Sequence, residues 1–257
     1  MLRILDARTG APVPAAPARR GGLTRIEARA PGSGLTSLRV LLTADLLARA
    51  LELNGTQAWP TLATAPPGEL RAAADALAVR PFEEARGLAS GAGGPGAVLV
   101  VGEEEGAAWP GDGPVVRVAP AVWAGRLPGA GEAASGPAPL PALLADPTAL
   151  RLALLRVPRG ETARLDEAAL GAAAERLAEW RRAVAGWARS PSRPVPEAVR
   201  ARLARAWEDD LDMLEVLDVL GDVEADPEVP DGARFETFAY ADRLLALDLA
   251  RDLGAPA

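Results

Sequence analysis

Residues 30–55 (APGSGLTSLRVLLTADLLARALELNG) constrain the fold of this chain more than any other stretch. A run of β-forming residues at 23–30 leads into a GSG turn at 32–34, and an apolar helix follows until the Asn-Gly pair at 54–55. Strand, glycine turn and helix begin the nucleotide site of doubly wound α/β proteins, where the backbone approaches phosphate and first-turn N–H groups face the anion. The order predicts an α/β fold with a Rossmann-like parallel sheet, although many ordinary strand–helix turns share the GSG pattern.

The helix that follows the turn is predicted to be largely buried, because leucines cover most of its circumference. Its polar residues Asp45, Arg49 and Glu52 form one stripe with i, i+4, i+7 spacing. A helix that is apolar on nearly all sides is expected to pack against a parallel sheet.

The rest of the chain divides into a strand-containing half and a helical half. Further strands are predicted at residues 2–7, 57–62, 97–101 and 115–119, with a loop up to residue 22. Residues 97–101 (AVLVV) are short, continuous and β-branched, which predicts a central strand. Helices are predicted at residues 69–79, 147–156 with Asp146 as N-cap, 166–187, 197–208, 209–220 and 235–253.

A Gly/Ala/Pro-rich stretch at residues 125–141 separates the two halves. Such a composition is typical of a boundary between domains. The sequence therefore predicts a Rossmann-like domain of the nucleotide-binding type at 1–140 and an all-helical bundle domain at 141–257.

Three residue types are absent from the chain: it has no Cys, no His and no Lys, so all 28 basic residues are Arg. Thiolate nucleophiles, imidazole bases, Schiff-base lysines and the P-loop lysine are therefore excluded. Catalysis would have to depend on carboxylates, arginines, hydroxyls and backbone N–H groups.

The net charge and the hydropathy of the chain limit which binding partners and which cellular location are expected. The net charge of −7 gives no general attraction to nucleic acid. No apolar run reaches the length of a membrane span, and the first residues do not have the pattern of a signal peptide. These features predict a cytoplasmic protein that does not enter membranes.

Several charged residues near the predicted turn allow two interpretations each. Glu103, Glu104 and Glu105 follow the predicted central strand, where they either bind Mg²⁺ or an amine or form a solvated acidic loop. Arg29 and Arg39 either clamp an anionic ligand or form salt bridges with carboxylates such as Asp45.

Taken in order, several segments resemble cysteinyl-tRNA synthetases and the related ligases of the mycothiol pathway, class I enzymes that form an aminoacyl adenylate. The similar segments are LRILDARTGAPVP at the start, ARAP at 28–31, residues 37–55, ADALAVRPFEEAR at 74–86, DPTALRLALL at 146–155 and DDLD at 209–212. The resemblance implies a class I synthetase core followed by a helical domain.

The two ATP signatures of that family are not conserved in this chain. His-Ile-Gly-His falls on residues 34–37 (GLTS), and Lys-Met-Ser-Lys-Ser falls near residues 132–138 (EAASGPA), which contain no cation. The resemblance therefore implies a vestigial site for ATP or AMP, formed by Gly32, Gly34, Thr36, Ser37 and Arg39.

The family's zinc site is also replaced. Its first Cys falls on Arg29, its His on Glu103 and its Glu on Ala107, at a family-like spacing to Trp123. Zinc is not expected, because Arg, Glu and Ala cannot assemble a thiolate-selecting site. The resemblance implies Arg29, Glu103 and Trp123 as substrate-binding positions.

These substitutions predict a synthetase-like pseudoenzyme that acts by binding a small ligand, a protein partner or a second copy of itself. No catalytic residue is assigned, and tRNA binding is not expected because the anticodon-binding region is shortened. The alternative is a divergent ATP-dependent ligase that forms an adenylate of an amino-acid-like substrate by using Arg29, Arg39 and the glutamates with Mg²⁺.

Overall fold

The computed structural model describes residues 1–16, 23–30, 32–84, 97–102, 112–125 and 140–254. Its centre is a five-stranded sheet in which every neighbouring pair is parallel. The strands are β3 (Thr24–Arg29), β4 (Ala58–Leu62), β5 (Glu83–Glu84), β6 (Val98–Gly102) and β7 (Val115–Val118). The predicted parallel α/β architecture is confirmed.

The strand order in this sheet is β5-β4-β3-β6-β7. Along the chain, β4 and β5 are added on one side of β3, and β6 and β7 are added on the other side. The order therefore reverses between β3 and β6. In open α/β sheets, ligands bind beyond the carboxyl ends of the strands at such a reversal. The prediction that β6 is a central strand is confirmed, since it lies between β3 and β7 and all five of its residues are buried.

Helix α1 (Leu35–Leu53) starts directly after the glycine turn and packs on β3, β4, β6 and β7. The predicted burial of this helix is confirmed, because 15 of its 19 residues are buried. It ends where predicted: the N–H of Asn54 returns to the carbonyl of Ala50, and Gly55 has a φ of 77°.

Two short strand pairs lie outside the main sheet. β1 (Arg3–Leu5) pairs antiparallel with β2 (Pro12–Pro14), although the sequence predicts a loop there. Proline is tolerated because a two-stranded ribbon has edges where no N–H donor is needed. β8 (Ala121–Trp123) pairs in parallel with β9 (Ala163–Leu165) and joins the two halves of the chain, a contact that the sequence does not predict.

The remaining helices belong mostly to the second half of the chain. They are α2 (Gly68–Ala76), α3 (Leu140–Leu143), α4 (Pro147–Leu155), α5 (Glu167–Trp187), α6 (Glu197–Glu208), α7 (Met213–Ala225) and α8 (Asp231–Leu245). The predicted cap of α4 is confirmed, since the Asp146 carboxylate accepts the N–H of Ala149 at 3.0 Å. Across the described parts of the chain, none of the helices combines the length and the apolar character needed to span a bilayer.

Two predicted helix boundaries are wrong for local reasons. α7 begins at Met213 rather than at 209, because Asp210 and Leu211 adopt the left-handed conformation, with φ of 55° and 59°. α8 ends at Leu245 rather than at 253, because the carboxylate of Asp242 accepts the N–H groups of Leu247 and Leu249. A side chain that bonds nearby backbone offers an alternative to the helical ladder.

The buried core is continuous across residue 140. One cluster contains Ile26 and Ala28 of β3, most of α1, and the apolar faces of α4 to α8. In the helical half, Phe238 packs edge-on against Trp180 and Trp187, with ring centroids 5.7 and 5.0 Å apart. The sheet and the helices therefore share one core.

Two helical glycines are expected to respond oppositely to alanine. A Cβ at Gly232 in α8 would lie 1.9 Å from the carbonyl oxygen of Pro191, whereas at Gly171 in α5 it would have nothing within 4 Å. We expect Gly232→Ala to lose about 1–3 kcal/mol of unfolding free energy through the clash. Gly171→Ala should gain about 0.5–1 kcal/mol because it loses less conformational entropy on folding.

Urea unfolding of both glycine variants beside the parent chain measures this difference. Equal shifts in the same direction would contradict the close approach of α8 to the segment at residue 191.

Candidate functional site

The glycine turn between β3 and α1 leaves its backbone open. Gly32 has a φ of 156°, and Gly34 is extended, with φ −90° and ψ −172°. A Cβ built on either glycine would meet nothing within 4 Å. Gly34 is the N-cap of α1 and has no side chain with which to cap it. The turn therefore offers N–H donors and the positive end of a 19-residue helix at the carboxyl edge of β3.

The two hydroxyl residues that follow the turn are engaged with the protein or buried. Thr36 Oγ1 donates to the carbonyl of Ala121 at 3.2 Å and accepts the N–H of the same residue at 3.1 Å. Ser37 is only 2 % exposed. The hydroxyl of Thr36 therefore links α1 to β8 and is used in that contact, and Ser37 is buried in the first turn of α1.

Arg39 is buried in the protein rather than directed at the turn. It is 2 % exposed, and its terminal nitrogens donate to five backbone carbonyls of two loops. The acceptors are those of Ala119 (3.0 Å), Pro120 (3.3 Å) and Glu161 (2.6 Å) for Nη1, and Val157 (3.0 Å) and Pro158 (2.7 Å) for Nη2. Neither sequence interpretation of this residue, the anion clamp or the salt bridge, describes what it does.

The charge of Arg39 persists at neutral pH. Burial lowers the pKa of its guanidinium to about 10, and the nearby carboxylate of Glu161 opposes that shift. Because five carbonyl dipoles replace its hydration shell, the cation stabilises the β7–β8 and α4–β9 connections against α1.

Arg29 lies on the sheet face opposite α1. Strand alternation directs Ile26 into the main core, and Glu27 and Arg29 to the other side. Arg29 donates to Glu27 Oε1 from Nε at 3.1 Å and from Nη2 at 2.9 Å, while Arg25 donates to Oε2 at 3.1 Å. The side chain of Arg29 is 32 % exposed, so it forms a salt bridge, with Glu27 rather than with Asp45.

Of the other two predicted substrate positions, one can be described. Trp123 ends β8, two residues after the Ala121 that bonds Thr36. It packs half-buried against the main core, and its Nε1 is buried without a hydrogen-bond partner among the described residues. Glu103, with the rest of the acidic triplet, lies outside the described residues.

A charge cluster that the sequence did not predict surrounds Asp45, whose side chain is fully buried. Its carboxylate accepts from Arg49 Nε at 2.8 Å, from Arg80 Nε at 3.0 Å and from Arg151 Nη2 at 3.4 Å. Three arginines from α1, the α2–β5 connection and α4 thus converge on one carboxylate. The only sequence signal was the i, i+4 spacing of Asp45 and Arg49 on α1.

Arg151 connects this cluster to the end of α8. It is 0 % exposed and also donates to the carbonyls of Leu245 at 2.5 Å and Leu77 at 2.7 Å. Burial lowers its pKa to about 10, and the charge of Asp45 opposes that shift. The cluster therefore links α4 and the end of α8, in the helical half, to α1 at a position away from the glycine turn.

The arrangement of groups at the glycine turn is better suited to ligand binding than to catalysis. Backbone N–H groups at a helix start can hold an anion without any side chain. The residues predicted to act beside them, Thr36, Ser37 and Arg39, are hydrogen-bonded to the protein or buried.

Comparison with known proteins adds no family to these observations. No family model matches the chain, and no curated protein matches it.

Proposed function

We propose that this chain is a cysteinyl-tRNA synthetase-like protein without adenylate-forming chemistry, whose role is to bind a ligand at the glycine turn. An adenine nucleotide such as AMP or ATP is the ligand class that fits the proposal. The observation that carries it is the contrast between the open backbone of Gly32 and Gly34 and the engaged or buried side chains of Thr36, Ser37 and Arg39.

The position of the turn supports the binding part of the proposal. It follows β3, at the point where the strand order reverses between β3 and β6. Phosphate bound there would meet the N-terminus of α1, where the helix dipole and the first-turn N–H groups favour an anion.

The missing cations support the non-catalytic part. Donors aimed at a transferring phosphoryl group contribute roughly 3–4 kcal/mol each to the transition state. The chain has no His or Lys, and Arg39 is bonded to carbonyls. The alternative of a divergent ligase has less support, because it requires Arg39 and Arg29 as ligand contacts and both guanidiniums are already bonded within the protein.

We expect ATP–pyrophosphate exchange with each of the twenty amino acids to stay at least about a thousandfold below that of an active class I synthetase. Exchange above that level with any amino acid would contradict the proposal. The physical reason is the loss of the donors that stabilise the departing pyrophosphate.

The binding part is tested by titration calorimetry with AMP and ATP on the parent chain and on Gly34→Ala. The backbone of Gly34 suits alanine and its Cβ meets nothing, so the variant should fold normally while its methyl group covers the turn. We expect binding to weaken about tenfold or more in Gly34→Ala. If Gly34→Ala binds the nucleotide as tightly as the parent chain does, the nucleotide binds at another site.

If neither nucleotide binds the parent chain, the proposed ligand is a protein partner or a second copy of the chain. Sedimentation of the purified chain distinguishes these two, because only the second copy would form a dimer without a partner.

A further inference from the structure

A cavity lies beside the middle of α1, along residues 39–46, away from the glycine turn. It has a volume of about 620 Å³, within the range of small-molecule sites, and opens between α1, the α4–β9 loop and the start of α7. Gly32, Gly34 and Thr36 do not line it. The cavity is therefore separate from the glycine turn, although Arg39 of the predicted nucleotide site lines it.

The floor of this cavity is apolar. It is formed by buried leucines of α1 and α4 together with the first residue of α7: Leu42, Leu46, Leu154, Leu155 and Met213. These side chains are at most 7 % exposed. An aliphatic segment of a ligand would bury its apolar surface against this floor, which favours binding.

The rim of the cavity carries an excess of carboxylates. Asp209, Asp212 and Asp218 form no ion pair with a described residue. A fourth carboxylate, Glu161, lies near the charge of Arg39, whose hydrogen bonds go to carbonyls. Arg159 pairs with Asp210 and donates to the carbonyl of Arg117 at 2.7 Å, so neither arginine pairs with the other three carboxylates. The local charge thus favours a cation over the floor.

The wall that carries Asp209 and Asp212 is held in place by the sheet half. Asp210 Oδ1 accepts the N–H of Leu5 at 2.7 Å and pairs with Arg159, and the N–H of Asp210 donates to the carbonyl of Arg3 at 2.9 Å. The cavity is therefore formed before any ligand arrives, which lowers the ordering cost of binding.

We propose that this cavity binds a small organic cation with an aliphatic body, such as a linear diamine. The alkyl chain lies on the leucine floor, and the ammonium groups donate charge-assisted hydrogen bonds to the rim carboxylates. A bare metal ion fits less well, since no group of three or more carboxylates in the described ranges is arranged to hold one. The apolar floor would also give a metal ion nothing to bind.

The test compares diaminooctane with octanediol, which has the same length and no charge, by titration calorimetry on the full chain. We expect the diamine to bind, with an affinity that falls as salt rises, and the diol to bind at least about tenfold more weakly. Absence of diamine binding, or equal affinity for the diol, would overturn the proposal.

Variants then localise the site. Asp209→Asn with Asp218→Asn removes two exposed rim charges that make no ion pair, so the fold should be unaffected. We expect this double variant to lose about fivefold or more in diamine affinity. Glu228→Gln, an exposed carboxylate outside the cavity, should bind like the parent chain. Equal losses in the two variants would indicate a general charge effect and refute the site.

Discussion

Replacing Asp45 by asparagine is expected to lower the free energy of unfolding by about 3–5 kcal/mol. Asparagine keeps the shape of the side chain and removes the negative charge on which three arginines converge. Arg49 and Arg80 reach solvent, but Arg151 is 0 % exposed and would be left as a buried cation with only the weaker influence of Asp242 to oppose it. Urea unfolding followed by far-ultraviolet circular dichroism measures the loss.

The matched control for Asp45 is Glu52 on the same helix. Its carboxylate also pairs with Arg80, at 2.6 Å, but its side chain is 41 % exposed. Solvent screens such a pair, so Glu52→Gln should cost less than about 1 kcal/mol. If both variants lost the same amount, the cluster around Asp45 would not behave as a buried ion network.

Replacing Arg39 by methionine is expected to cost a similar amount, about 3–5 kcal/mol. Methionine fills much of the volume but donates nothing, so five carbonyls of the β7–β8 and α4–β9 connections lose their common donor. Arg39→Lys should recover only part of the loss, because an ammonium on a flexible stem cannot reach both groups of acceptors as the planar guanidinium does.

The control for Arg39 is an arginine that makes a single local hydrogen bond. Arg182 on α5 is exposed and donates to the carbonyl of Ala178, four residues earlier. Arg182→Met should change the unfolding free energy by no more than about 0.5 kcal/mol. A small effect at Arg39 as well would show that the connections keep their conformation without it.

The elements that the sequence predicts well are those whose signals are local. Helix α1 was placed correctly because leucine periodicity, the GSG turn and the Asn54–Gly55 end lie within one stretch. The valine-rich sequences of β6 and β7 predict these strands directly. The order of the strands in the sheet could not be predicted from the sequence, because parallel pairing joins residues that are far apart in the chain.

The contacts that define the candidate site could not be predicted in the same way. Arg39 bonds to backbone carbonyls up to 122 residues away, and a carbonyl acceptor has no sequence signature. Asp45 was recognised as part of a polar stripe, which for most helices faces solvent. Its partner Arg151 lies 106 residues further along the chain, and both residues are 0 % exposed.

At two of the missed boundaries, an aspartate carboxylate bonds to backbone N–H groups near the end of the helix. Asp242 captures the N–H groups of Leu247 and Leu249 and ends α8 early, and Asp212 caps a helix that begins after two left-handed residues. Periodicity alone carries no information about such local competition.

The arginine contacts across the two halves have a consequence for how this architecture can change during evolution. The guanidinium of Arg39 in the first half is matched to the loop path at residues 157–161, and Arg151 in the second half is matched to Asp45. A helical half taken from another protein would bring neither the loop path nor the arginine. The two halves are therefore poor candidates for exchange by recombination, and they are expected to diverge together as a single inherited unit.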